Sequence, residues 1–191
     1  MVGWSVAVGA GLLTGALTAY GQGWLSDATT SLANSAGPWA LVAFVVARYN
    51  RKVPPAMVAA VLTLASCEFG YVLATDVRGG SNSSSTIVFW LVAAVLAGPP
   101  LGLAGAWSTH GGLRGGVGVA ALGGVLIGEG LYGWTTLADT TDRRYWAVEM
   151  LVGAAIVMLF AVRSRWPRHT SAIVGAAVAA ALVVFGVARL V

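Results

Sequence analysis

Charge is what this chain has least of. Asp, Glu, Lys and Arg make up 9% of its 191 residues, with two histidines and one cysteine. A soluble domain carries about 25% charged residues, so a chain this poor in charge could not cover itself in water. Its hydrophobic share is 58% and its mean hydropathy +0.81, which places it among multi-pass membrane proteins. The single Cys67 excludes an internal disulfide and a cysteine-built zinc site. His110 and His169 fall in loops far from the acidic residues, so no metal centre is expected. Ser66 and Cys67 flank Glu68 with no base near them in sequence, and no Ser-His-Asp or Cys-His arrangement is visible. GGLRGGVG at 111–118 lacks the Lys-Ser/Thr of a phosphate-binding loop. ADTTD at 138–142 sets two aspartates three apart and reads as a solvated turn. No basic stretch precedes the first apolar run in MVGWSVAV, so that run is expected to be retained as a helix.

What remains is apolar sequence in lengths of about 20 residues, the span of a bilayer-crossing helix. The expected fold is an all-α integral membrane protein, one domain over 1–191 and a compact bundle of seven transmembrane helices. The spans read as 3–25, 36–49, 54–75, 86–107, 114–136, 145–162 and 170–190, with six as the alternative if the last lies in the interface. The second is short and starts at Gly37-Pro38, where proline suits a first helical turn. SDATTSLANS before it is polar enough for a loop that dips into the protein, and Asn34 or Ser35 is the expected helix cap. Pro99-Pro100 is expected to kink the fourth span. The 26 glycines read as close helix packing, with GxxxG-like spacing at Gly124 and Gly128.

The loops alternate in charge. Arg48, Arg51, Lys52, Arg114, Arg163, Arg165 and Arg168 share one side. Asp27, Asp76, Asp139 and Asp142 share the other with Arg78, Arg143 and Arg144. The excess of positive residues places the first set in the cytoplasm, with the N-terminus inside. The net charge of +4 is thus topology signal rather than a nucleic-acid surface.

Three segments share a pattern: ALTAYGQGWLSDATTSLANSAGPWALVAFVVARY, LASCEFGYVLATDVRGGSNSSSTIVFWLVAAVLAG and GVLIGEGLYGWTTLADTTDRRYWAVEMLVGAAIVM. Each closes a helix on Gly and aromatic residues, crosses a polar loop, and returns near a tryptophan (Trp39, Trp90, Trp146). Read as three pseudo-repeated hairpins, they place Gln22, Glu68 and Glu129 at similar depth, with Glu149 nearer the surface. Glu68 and Glu129 lie about 10 Å below their span ends at 1.5 Å per residue. A carboxylate at that depth faces the protein interior or a wet cavity and is a functional candidate by default. No span offers a Lys or Arg at that level, so at least one acid is expected to hold its proton at neutral pH. Tyr20, Trp24, Phe69, Tyr71, Trp90, Tyr132, Trp134, Tyr145 and Trp146 gather at the same end. Turned inward, they would wall a cavity suited to cationic species.

GALTAYGQGWL, LANSAGPWALVAFVVAR, FWLVAAVLAGPPLGLAGAW and GEGLYG together resemble a family of uncharacterised actinobacterial multi-pass membrane proteins over most of the chain. Cys67-Glu68-Phe69-Gly70-Tyr71 is also similar, at Glu, Phe and Tyr, to the Trp-Glu-Phe/Leu-x-Tyr stretch of small seven-helix membrane-bound terpene cyclases. The chain departs from that stretch at Cys67. The resemblance implies Glu68 as the acid that protonates an alkene or epoxide.

Three functions stay open. The first is an intramembrane cyclase of a polyprenyl-bearing substrate, with Glu68 or Glu129 as general acid. Tyr20, Gln22, Trp24, Phe69, Tyr71, Trp90, Tyr132, Trp134, Trp146 and Glu149 would then line the substrate site. The second is a small-molecule or cation transporter, or a substrate-binding membrane subunit, with proton-coupled glutamates. The third is a structural or assembly protein. Cofactors are not expected, and the expected partners are a lipophilic small molecule and membrane lipid.

Overall fold

The fold is known from a computed structural model, which describes residues 3–26, 29–163 and 167–189. Asp27 and Arg165, two of the loop charges above, lie outside the described residues, and so does the side chain of Arg168. The described residues form seven α-helices and one 3-10 turn: α1 Trp4–Trp24, the turn Thr30–Asn34, α2 Gly37–Arg48, α3 Val53–Val77, α4 Ser84–Trp107, α5 Gly112–Thr136, α6 Arg143–Arg163 and α7 Pro167–Ala188. Five of them, α3 to α7, are long and apolar enough to cross a membrane. The fifth of these qualifies over His169–Ala188. α1 has the length, at 21 residues, but its threonines, glutamine and glycines leave it outside that set. Many large apolar side chains face outward, among them Leu13, Leu73, Leu96, Leu151, Val162 and Leu182. Outward apolar faces on apolar helices are the make-up of an α-helical membrane protein.

Glycine sets the helix spacing. Gly11 and Gly15 of α1 lie against the α3 backbone at Thr63 and Cys67, and Gly70 lies against Leu12. The increasing numbers on both sides make α1 and α3 parallel neighbours. Gly124 and Gly128 meet Ala177 and Ala181 in the same way, which makes α5 and α7 parallel too. With little hydrophobic drive between helices in lipid, such backbone approach is what holds them together. α4 runs unbroken through Pro99 and Pro100, while Gly98 and Gly102 pack it on Val61 and Met57 of α3.

These contacts sort the helices into two groups. α1, α3 and α4 form one, and α5, α6 and α7 the other; α2 touches α1, α3, α4 and α5, and α4 touches α5. At 12 residues, α2 is about 18 Å long, little more than half of a bilayer core of about 30 Å. The chain reaches its start through the 3-10 turn, in which Ser31 and Ala33 are buried. The loop before Gly37 therefore does dip into the protein, and α2 begins inside the bundle. Trp39 fixes the level: its indole Nε1 donates to Thr18 Oγ1 at 2.9 Å, six residues before the end of α1.

Candidate functional site

A helix that starts inside a protein exposes backbone N–H groups that need acceptors. α2 has no side-chain cap from its own capping residue, Ala36. One acceptor comes instead from another helix and one from a serine just before α2. Ala36 N–H donates to Glu129 Oε1 of α5 at 2.6 Å. Gly37 N–H donates to Ser35 Oγ at 3.1 Å, and Ser35 Oγ donates onward to Glu149 Oε1 of α6 at 3.2 Å. The positive end of the α2 dipole thus meets two carboxyl groups, one directly and one through a serine hydroxyl.

The absence of a side chain at residue 37 makes room for this. A Cβ there would collide with Glu149 Oε1 and lie 3.1 Å from Glu129 Oε2 and from Leu126 Cδ2. Both Oε2 atoms are buried and have no hydrogen-bond partner. Among the described residues, no Lys or Arg forms an ion pair with either acid. Tyr145, one turn before Glu149 on α6, lies near Ser35 and the two acids. The arrangement is a two-carboxyl site on a half-helix N-terminus, about 10 Å inside the ends of α5 and α6 at 1.5 Å per residue.

Glu68 stands apart. It is 2% exposed and its Oε2 is also without a partner. It lies on α3, whose main helix neighbours are α1, α2 and α4, so it does not join the pair. One turn along α3, Tyr71 packs on Trp39 (ring centroids 6.5 Å apart), which packs on Trp90 at 5.7 Å. Tyr71 hydroxyl donates to Gln22 Oε1 at 3.0 Å, and Gln22 Nε2 donates to Asn34 Oδ1 at 2.9 Å. Asn34 therefore ties the loop to α1 instead of capping α2, and Ser35 takes the N–H.

The remaining aromatic residues do not share one chamber. Tyr20 stacks on Trp24 at 4.9 Å and carries the Arg78 guanidinium on its ring. Trp24 and Phe69 are largely exposed, and Tyr132 is partly buried. Trp134 lies under Arg143. Trp146 is buried against Gly133, with its Nε1 donating to Thr141 Oγ1 at 2.8 Å. What sequence reading missed is the role of residues 35–37. The available signal was a helix too short to span, which must begin inside and needs acceptors there.

The family described as a family of unknown function, DUF6518, matches residues 2–191. The chain belongs to the DUF6518 family. Neither a curated protein nor a solved structure matches it. Membership in DUF6518 extends over both helix groups and the α2 junction, and it brings no assigned activity.

Proposed function

We propose that this chain is a proton-coupled membrane transport protein for a small-molecule or cationic solute, with Glu129 and Glu149 as its proton-binding pair. The observation that carries the reading is the half-helix α2, whose N-terminus ends on two carboxyl groups supplied by different helices. Interrupted helices that stop inside the bundle are a recurring feature of transporter binding sites. Ionisable residues at such depth serve proton relays. Two ionised carboxylates buried together with no cation are too costly to coexist, so the pair holds and exchanges a proton. The same reading takes the chain as a seven-span protein of a bacterial cytoplasmic membrane, N-terminus inside, built from three pseudo-repeated hairpins. The first of them is shortened at α2.

The test is reconstitution into vesicles holding a trapped pH-sensitive dye, challenged with a panel of alkylamines and quaternary ammonium ions. Solute-evoked proton movement is expected, and Glu129→Gln and Glu149→Gln should each abolish it. Movement that survives both substitutions would remove the pair from the mechanism.

A second reading rests on a separate observation: Glu68, buried and partnerless, sits one turn from the Trp39–Tyr71–Trp90 cluster. A neutral buried acid beside aromatic faces fits a general acid that starts a cyclisation of a prenylated lipid. Membranes incubated with linear prenylated substrates test it. Cyclised product lost in Glu68→Gln and kept in Glu149→Gln supports the cyclase; product unchanged by Glu68→Gln removes it.

A further inference from the structure

The stretch from the 3-10 turn to the start of α2 is held from two sides by different helix groups. On one side, Gln22 Nε2 of α1 donates to Ala33 O at 3.3 Å and to Asn34 Oδ1 at 2.9 Å, with Tyr71 of α3 holding the same glutamine. On the other side stand Glu129 of α5 and Glu149 of α6, bonded to Ala36 N–H and Ser35 Oγ, with Tyr145 of α6 and Leu126 of α5 beside them. The first set is neutral amide, phenol and backbone. The second centres on a pair of acids.

We propose that residues 30–37 act as a clasp between the two helix groups, closed while the Glu129–Glu149 pair keeps a proton and released when both ionise. This rests on the proton-pair reading above. The titratable groups facing the clasp are Glu129 from α5, Glu149 and Tyr145 from α6, and Tyr71 from α3, which reaches it through Gln22; the clasp itself contributes Ser35 and backbone N–H groups. With one proton present, the pair carries a single negative charge that the α2 N-terminus can accept. With none, two unscreened charges share a site whose Oε2 atoms have no donor. The second charge needs water, and water can reach it only if the clasp parts from α5 and α6. The Gln22–Tyr71 side contains no carboxyl group, so the stretch stays with α1 and α3.

Ser31 reports the movement, because its hydroxyl is fully buried and unpartnered within the clasp. The experiment uses Ser31→Cys in a Cys67→Ala background, reconstituted in nanodiscs and labelled with a charged methanethiosulfonate from mildly acid to alkaline pH. Ser85→Cys, at an exposed position, corrects for thiol ionisation. The corrected labelling rate is expected to rise about tenfold or more towards alkaline pH, the scale of repulsion between two close charges. Adding Glu149→Gln should hold it at the acid value. Hydrogen exchange of amides 31–37 in the unmodified chain, corrected for intrinsic rates, should follow the same course. A pH-independent rate, or the same rise with Glu149→Gln, would overturn the clasp. Solute-evoked proton movement that persists in that case would leave the proton-pair reading standing, so the two failures are distinguishable.

Discussion

Glu149 Oε1 occupies the space that a side chain on Gly37 would need. The two residues are far apart in the chain, on α6 and α2, and their contact places a carboxyl group on the buried start of a half-length helix. Gly37→Ala should therefore displace the carboxyl or tilt α2. The expected loss is about 1–3 kcal/mol, as for overpacking a tight interior. A thermal unfolding scan of purified protein checks it, and an unchanged Tm would mean that Glu149 has another place to go.

Gly124 and Gly128 should tolerate no methyl group, because the atoms they would meet are α7 backbone at Ala177 and Ala181, which cannot rotate aside. Alanine at either is expected to cost about 1–3 kcal/mol. Gly9 and Gly175 have open space around the same position. Alanine there should stabilise by up to about 0.5–1 kcal/mol, the helix preference of alanine over glycine. Unfolding of the four variants side by side separates the two classes, and a common loss at all four would contradict the contact map.

Arg78 closes the end of α1. Its guanidinium donates to the Ala19 carbonyl and lies 5.4 Å from the Tyr20 ring centroid. Arg78→Gln should lower stability by about 1–2 kcal/mol through the lost carbonyl bond and ring contact. Arg78→Lys should recover only part of it, since a compact ammonium cannot serve carbonyl and ring in one plane. Full recovery by lysine would reduce the role of Arg78 to charge alone.

Tyr71→Phe removes one hydroxyl and leaves its ring on Trp39. Loss of the bond to Gln22 is expected to cost about 0.5–1.5 kcal/mol and to speed hydrogen exchange in residues 30–36. Exchange that rises uniformly along the chain would show a global effect rather than a loosened loop.

The helices were legible in the sequence because their ends are punctuated. Gly37-Pro38 and the charged loops mark turns that α2 and α3 obey within a residue or two. The glycine rows were legible as contact faces, though not their partners. The acid pair was only half legible. Glu129 stands out by depth, whereas Glu149 reads from the sequence as nearer the surface. Its place is fixed by Ser35, 114 residues earlier, and no local pattern encodes that distance. Glu68 drew notice through a short motif, yet a motif states what precedes and follows a residue along the chain, not which helix packs against it. α3 has α1, α2 and α4 as neighbours, and so Glu68 never meets Glu129.

The buried 3-10 turn also has a practical consequence for anyone modifying this protein. A backbone that leaves regular helix at membrane depth is tolerated only where protein surrounds it, and Ser31 and Ala33 have no exposed surface to spare. Epitope tags, crystallisation partners and split-reporter fragments should be rejected between Ser31 and Gly37. They should be accepted at the exposed turn around Gly79 and Gly80, where grafted sequence can project into solvent.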